Sequence, residues 1–182
     1  MPRLFIAIQV PKNIQTELVK IQPLKMDGIR LTPPDEMHLT LHFIGEVFDS
    51  ISDAIRSQLN SISLGAFPLQ LDGVGCFRDN GTLRFLWCGV KISTELIRLR
   101  DEIGGVLTNL GVRLEDREYK PHITLARLNS YPIEITETFF GLHKAFMTNF
   151  DVASFVLYSV ERTGREFEYV KLNEYDLTPS SR

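Results

Sequence analysis

The sequence contains a pair of matching segments, HLTLHFIG at residues 38–45 and HITLAR at residues 122–127. Each begins with His, an apolar residue, Thr and Leu, and together they use two of the four histidines in the 182-residue chain. With this composition, chance predicts only about 0.03 such four-residue matches. Two copies therefore indicate a repeated functional motif rather than a chance match.

Both segments are typical of β-strands, because aliphatic and β-branched residues favour a pleated, half-buried surface. Side chains alternate between the two faces of a strand, so His38 and Thr40 share one face and the leucines share the other. The same alternation pairs His122 with Thr124. Each segment is predicted to place apolar residues in a core and to present an imidazole and a hydroxyl, roughly 7 Å apart, on one surface.

Two such pairs facing one substrate have a definite chemical use. The unperturbed imidazole pKa lies near neutrality, so one ring can hold a proton while the other lacks one. One histidine can then activate water while the other protonates a leaving oxygen. The threonine hydroxyls can donate hydrogen bonds to an anion such as a phosphoryl group. A single His-x-Thr is more often an ordinary packed histidine, and it is the repetition that favours catalysis.

The residues around both segments resemble the two-histidine phosphoesterases, in particular the LigT-like RNA 2′,3′-cyclic phosphodiesterases formerly called 2′-5′ RNA ligases. The resemblance covers nearly the whole chain. Its parts are RLFIAIQVP at residues 3–11, MHLTLHFIGEV at residues 37–47, YKPHITLAR at residues 119–127 and the closing FVLYSVERTGREFEYVKL at residues 155–172.

The resemblance implies a single domain over residues 1–182, made of two pseudo-symmetric lobes with the motifs facing each other across a central cleft. It implies hydrolysis of RNA or nucleoside 2′,3′-cyclic phosphates to 2′-phosphates. In that reaction His38 is the proton donor to the leaving O3′, and His122 is the proton acceptor from water. Thr40 and Thr124 hold the nonbridging oxygens. Acid–base chemistry alone leaves the two histidine roles interchangeable.

Other functions use the same residues. The site could act on another cyclic or 2′-5′-linked nucleotide, or join RNA ends as a 2′-5′ ligase if a ribose hydroxyl replaces water. A noncatalytic module that only captures RNA or nucleotides is a different class of hypothesis. The two histidines count against it, because binding an anion does not require two proton-transfer groups.

Four further residues have weaker assignments. Arg127 is a possible substrate contact, although strand alternation points it away from the cleft unless a bulge or the strand end redirects it. Phe77 could stack on a base, whereas Trp87 is expected to pack in the interior. Alternation also puts His42 on the face of His38, but roughly 13 Å along the strand, so it is left outside the catalytic set.

Hydrophobic periodicity predicts an α+β fold of antiparallel sheets with helices on the outer faces. A helix is predicted after an N-cap at Asp49 or Ser50, and a longer helix from the N-cap Ser93 to Gly111. Asn80-Gly81 predicts a hairpin turn. Loops, turns or frayed ends are predicted at the following places: Leu31 to Glu36, Tyr131-Pro132, Thr163-Gly164 and Thr178 to Arg182. Two closing strands are predicted over Phe150 to Val160 and Glu166 to Asn173.

The composition limits the partners. A net charge of −3 gives no general basic surface, so RNA is expected to be met at an end. A local exception is the cluster of Arg113, Arg117, Lys120 and Arg127 around the second motif, which could attract phosphate. The two cysteines lack CxxC spacing and no metal-type spacing occurs, so we expect chemistry with no metal or cofactor. No membrane span or signal peptide is evident, and a cytoplasmic monomer is expected.

Overall fold

The protein is described by a computed structural model covering residues 1–129, 133–163 and 166–179. In these ranges the strands are β1 (Arg3–Gln9), β2 (Ile29–Leu31), β3 (His38–Glu46), β4 (Phe67–Asp79), β5 (Thr82–Val90), β6 (His122–Leu128), β7 (Met147–Val152), β8 (Ser154–Thr163) and β9 (Glu166–Asp176). The helices are α1 (Lys12–Lys20), α2 (Asp49–Gln58), α3 (Thr94–Asn109) and α4 (Ile133–His143). No helix in the described ranges is long and apolar enough to cross a membrane.

The strands form one antiparallel sheet in the order β7-β4-β5-β6-β3-β1-β8-β9, with the short β2 paired to β6. The α+β prediction is therefore confirmed. The order is symmetric about the two motif strands, because β3 and β6 are each the innermost of four strands. In the described strands, the pairing between β3 and β6 consists of one residue pair, Leu39 with Ile123. The predicted lobes are thus two halves of one sheet, with the motifs as neighbours.

The main core lies between one face of this sheet and the helices. Helix residues at the predicted spacing, such as Ile14 and Leu18 of α1 and Ile103 of α3, join Leu39 and Ile123 in one buried cluster. A smaller cluster on the opposite face of β1 and β8 consists of Phe5, Ala7, Val156 and Tyr158. Because the helices cover one face, the other face is available for the site.

Two predicted local signals are confirmed and one is wrong. The Ser93 hydroxyl accepts a hydrogen bond from the Leu96 backbone N–H at 3.1 Å, as an N-cap does. Asn80 and Gly81 both have positive φ, 48° and 77°, as a tight hairpin turn requires. Neither Asp49 nor Ser50 caps α2: Phe48 occupies the N-cap position without a side-chain hydrogen bond, and Asp49 already belongs to the first turn.

The closing strands also differ from the prediction. The run Phe150 to Val160 is two strands, because β7 pairs with β4 in one half of the sheet whereas β8 pairs with β1 in the other. The chain changes halves at Ala153, which belongs to neither strand. The predicted loop before the first motif contains part of β2, which the sequence did not indicate. Three predictions lie wholly or partly outside the described residues: the Tyr131-Pro132 loop, the Thr163-Gly164 turn and the end from Thr178 to Arg182.

Candidate active site

The two motifs lie side by side at the centre of the sheet. Leu39 of β3 pairs with Ile123 of β6, and both are buried in the main core. Adjacent residues point to the opposite face, which we call the motif face. The antiparallel direction sets the histidine of each motif beside the threonine of the other. The structure thus brings together the four residues predicted from sequence, His38, Thr40, His122 and Thr124, and leaves all four partly buried.

The two histidines are held in the same way. Nδ1 of His38 is 2.6 Å from the carbonyl oxygen of Glu36, and Nδ1 of His122 is 2.6 Å from that of Lys120. A carbonyl oxygen can only accept, so each Nδ1 must carry the proton and donate it. In the neutral ring Nε2 then has a free lone pair, and in the protonated ring it has a proton to give. Both rings are therefore oriented for proton transfer at Nε2.

Each motif strand carries a β-bulge at the leucine that follows its threonine. Thr40 and His42 of β3 pair with successive residues of β1, so Leu41 is extra. Thr124 and Ala126 of β6 likewise pair with successive residues of β5, which makes Leu125 extra. A bulge turns the next residue to the other face of its strand. Alternation in both strands therefore reverses after the fourth motif position.

The bulge corrects the predicted position of His42. His42 does not share the face of His38; it points into the core and is only 6% exposed. Its Nε2 donates to the carbonyl oxygen of Arg100 in α3 at 2.8 Å. A Cβ on Gly104 would lie 3.3 Å from that nitrogen, so the glycine inside α3 leaves room for the imidazole. Its burial in the core is consistent with leaving it outside the catalytic set, for a reason that alternation did not reveal.

The same kind of bulge brings Arg127 onto the motif face. The guanidinium donates from Nη2 to the Tyr169 hydroxyl at 3.2 Å and lies 5.6 Å from the centre of the Phe85 ring. Tyr169 belongs to β9, in the other half of the sheet, so Arg127 spans the two halves. Its charge contributes to lowering the pKa of His38. The predicted redirection by a bulge is thus observed; whether Arg127 contacts substrate stays a prediction.

Aromatic rings surround His38. Its ring centre lies 5.0 Å from that of Phe5, 5.3 Å from Tyr169 and 6.2 Å from Tyr158. Burial by this cluster is the main reason that the pKa of His38 falls from 6.5 to about 4. The hydrogen bond to Glu36 works in the opposite direction, whereas the charges of Arg127 and His122 lower the pKa further. In the unliganded protein His38 is therefore neutral at pH 7.

A different set of aromatic rings surrounds His122. Its ring is 4.7 Å from that of Phe77, edge to face, and 6.0 Å from the Trp87 ring. Burial lowers the pKa of His122, opposed by the hydrogen bond to Lys120 and assisted by Arg117. Trp87 is not fully interior as predicted from sequence, because it lies partly exposed on the motif face. Phe77 supports His122, and its predicted contact with a base stays a prediction.

The indole of Trp87 packs closely against a glycine of the adjacent strand. A Cβ on Gly75 of β4 would be 2.0 Å from the indole ring, closer than any real contact. Glycine at this position therefore allows the indole to reach its place beside His122. This requirement could not be recognised from sequence, because an isolated glycine in a strand has several explanations.

Tyr119 links the two motifs from the connector before β6. Its hydroxyl donates to the carbonyl oxygen of Thr40 at 3.1 Å, and its ring lies 4.5 Å under the Arg100 guanidinium. Burial raises its pKa, so the phenol stays protonated. The next residue, Lys120, supplies the carbonyl that holds His122. Sequence reasoning did not single out Tyr119, although it begins the YKPHITLAR segment.

The basic segment before β6 also contains acidic residues, which partly neutralise its positive charge. Arg117 pairs with Glu115 at 2.7 Å and Lys120 with Glu118 at 3.4 Å, all largely exposed. Exposed pairs of this kind contribute little to stability. They also reduce the positive charge offered to a phosphate, and the predicted attraction by this cluster stays a prediction.

Two cavities lie along β1, the strand that pairs with β3 and so runs beside His38. The proximal cavity, of about 330 Å³, is lined by Gln9, Asp35, His38, Tyr158, Tyr169 and Lys171. The distal groove, of about 620 Å³, is lined by Met1, Arg3, Glu46, Val160, Arg162 and Phe167. Gln9 pairs with His38 at one end of β1 and Arg3 with Glu46 at the other, so the two cavities lie at opposite ends of the strand.

Metal-type clusters are absent from the described ranges: no three His, Cys, Asp or Glu side chains there are grouped to hold a metal ion. Both cysteines are free; Cys88 is a buried core residue, and Cys76 is partly buried.

Comparison with known proteins gives consistent matches. A sequence model of the 2′-5′ RNA ligase superfamily matches residues 10–164. The RNA 2′,3′-cyclic phosphodiesterase of Methanocaldococcus jannaschii is 36% identical over 128 residues, 69% of this chain and 71% of that protein. The protein of the same name from Archaeoglobus fulgidus is 31% identical over 140 residues, 74% of this chain and 77% of that protein. The one from Escherichia coli is 27% identical over 179 residues, 97% of each.

Solved structures agree in fold. A crystal structure of Escherichia coli LigT complexed with 3′-AMP has a TM-score of 0.82 and 27% identity, and the match covers 97% of this chain and 98% of that chain. The structure of LigT in its apo form has a TM-score of 0.80 and 26% identity over the same shares of the two chains.

Proposed function

The chain belongs to the 2′-5′ RNA ligase superfamily, and we propose that it is an RNA 2′,3′-cyclic phosphodiesterase that opens cyclic phosphate ends to 2′-phosphates. Relatives with that name cover most of the chain. The observation that carries the proposal is the matched pair of hydrogen bonds at Nδ1 of His38 and His122. They leave two Nε2 atoms, one for each proton that the reaction must move.

The reaction uses the two motifs as follows. A water oxygen attacks phosphorus while Nε2 of His122 takes its proton. The P–O3′ bond breaks, and Nε2 of His38 gives a proton to O3′. Thr40 and Thr124 donate hydrogen bonds to the nonbridging oxygens, whose charge grows in the transition state. The product carries a 2′-phosphate and a free 3′-hydroxyl.

The proton-donor role requires His38 to be protonated in the complex with substrate. With a pKa of about 4 it is neutral in the free protein at pH 7, whereas a proton donor must start protonated. The anionic phosphate bound beside the ring favours imidazolium and raises the pKa. The group that acts as acid should therefore show a higher apparent pKa in kcat, which reports the complex, than in kcat/KM, which reports the free protein. The order of the two histidines rests on family resemblance, and this comparison tests it.

The direct experiment follows the end group of a short RNA 2′,3′-cyclic phosphate by phosphorus NMR, with EDTA present. We expect a 2′-phosphate product. His38→Ala and His122→Ala should each lower kcat by about 10²–10⁴-fold. His143→Ala is the matched control, because that histidine lies at the end of α4 beside Phe139.

Three results would overturn parts of the scheme. Full activity in either motif variant would exclude paired acid–base catalysis. A 3′-phosphate product would keep the chemistry but reverse the leaving group. Turnover only when a second RNA end with a free hydroxyl is supplied would instead identify a 2′-5′ ligase. We also propose that the protein acts as a monomer, which light scattering during gel filtration tests directly.

A further inference from the structure

Phe43 is an exposed aromatic residue on the motif face. The bulge at Leu41 buries His42 and returns Phe43 to the side of the sheet that carries His38 and Thr40. Its side chain is 49% exposed. An exposed phenylalanine alone has no special meaning, but this one occupies the position in β3 that Arg127 occupies in β6. Both follow their bulges by two residues and face the same side as the catalytic pair.

Phe43 continues the aromatic cluster around His38. The ring of Phe5, only 2% exposed, lies between them: its centre is 5.0 Å from the His38 ring and 6.2 Å from the Phe43 ring. Tyr169 packs edge to face on Phe5 at 5.1 Å. The result is a row of rings that begins at the reacting histidine and ends at an open aromatic surface. Proteins that bind single-stranded nucleic acids stack the bases on aromatic rings and hold the backbone with cationic groups.

An RNA end with a 2′,3′-cyclic phosphate extends from the bound phosphate in two directions, and one cavity lies in each direction. In a ribose 2′,3′-cyclic phosphate the base is attached at C1′, whereas the preceding nucleotide is attached through C5′ at C4′. These atoms lie on opposite sides of the 2′,3′ edge that enters the site. The proximal cavity touches His38 itself and is left for the terminal base. Phe43 pairs with Phe5, towards the other end of β1, and the distal groove at Arg3 and Glu46 lies beyond it.

We propose that Phe43 stacks on the base of the nucleotide preceding the cyclic end, so that the protein acts on RNA oligonucleotides in preference to nucleoside cyclic phosphates. This inference rests on the function proposed above. The distal groove beyond Phe43 then receives the chain further upstream. Arg3 and Arg162 line it, but so do Glu46 and Glu161, so stacking rather than phosphate attraction supplies the recognition. The footprint is therefore short, in keeping with the net charge of −3.

The test compares kcat/KM for a dinucleotide and a mononucleoside that both end in a 2′,3′-cyclic phosphate. Phe43→Ala should lower the ratio of the two values by about 5- to 100-fold, as expected for the loss of one base–aromatic stack. Phe43→Trp should keep the ratio, because it retains a ring. A dinucleotide whose first residue lacks its base should already have the lower ratio, and Phe43→Ala should not reduce it again.

Phe48→Ala is the matched control. Phe48 is 66% exposed and lies five residues further along, at the N-cap of α2 and outside β3, whereas Phe43 contacts the Phe5 ring beside His38. An unchanged ratio in Phe43→Ala, or the same drop in Phe48→Ala, would overturn the inference. If the unmodified protein turns over neither substrate, the proposed function itself fails, and the stacking proposal falls with it. Equal turnover of both substrates would refute the stacking proposal while leaving the phosphodiesterase in place.

Discussion

Acid should destabilise the fold through His38, and the structure gives the size of the effect. Burial among Phe5, Tyr158 and Tyr169 lowers the pKa of the folded state to about 4, against 6.5 when the chain is unfolded. A depressed folded-state pKa means that the unfolded chain binds the proton first as pH falls. The contribution to stability is complete above pH 6.5 and is lost as pH falls towards 4.

The magnitude follows from the width of that window. A shift of one pKa unit corresponds to about 1.4 kcal/mol, so the full loss is at most about 3 kcal/mol. Between pH 7 and pH 4.5 about 2 kcal/mol of it should appear. Because small proteins are stable by only about 5–15 kcal/mol, a loss of this size is readily measured.

The assay is urea unfolding at pH 7 and pH 4.5 for the unmodified protein and for His38→Asn. Asparagine keeps an amide donor near the position of Nδ1, and so can still donate to the carbonyl of Glu36, but it does not titrate. Carboxylates titrate equally in both proteins, so their effect cancels in the difference. We expect the unmodified protein to lose about 2 kcal/mol more than the variant between the two pH values. Equal losses would refute the claim that His38 is buried as a neutral base.

Four other predictions concern residues around the two motifs and in α3. Trp87 is the only tryptophan, so its fluorescence should report protonation of His122, with a midpoint below 6.5 that disappears in His122→Asn. Gly75→Ala should destabilise the fold by about 1–3 kcal/mol and reduce turnover, because the added Cβ overlaps the indole. Gly105→Ala has open space around the added Cβ and should stabilise the fold by up to about 1 kcal/mol in thermal unfolding. Tyr119→Phe should lower kcat more than it raises KM in steady-state assays, since the lost hydrogen bond positions the first motif without contacting substrate.

The site was predictable from sequence as far as alternation holds. The period of a strand is two, so the spacing His-x-Thr is enough to place an imidazole and a hydroxyl on one face and leucines on the other. The repetition then indicated that the two faces act together. The pairing of Leu39 with Ile123 could not be obtained in this way, because strand pairing between residues 84 positions apart is not a local property.

The bulges mark where the local pattern ends. Nothing in HLTLHF or HITLAR signals an extra residue at Leu41 or Leu125, since leucine fits a regular strand equally well. Strict alternation therefore gave the wrong side for His42 and left Arg127 undecided. Gly104 in α3 has a related origin, because a Cβ there would crowd the imidazole that the bulge turns towards it. Nothing in the structure explains Gly105.

In the proposed reaction the symmetry of the two halves serves the paired acid–base chemistry, and the proposed selectivity rests on the place where that symmetry fails. Motif, bulge and Nδ1 hydrogen bond are the same on β3 and β6, which suits a phosphate gripped alike from both sides. The residues two places after each bulge differ: Phe43 presents an uncharged ring, whereas Arg127 presents a cation that reaches across to Tyr169. A substrate with a base on one side of its phosphate and only water on the other needs this asymmetry. On this view the ring and the guanidinium set the orientation of the RNA, and exchanging them should reduce the ratio of oligonucleotide to mononucleoside turnover more than it reduces turnover of the mononucleoside.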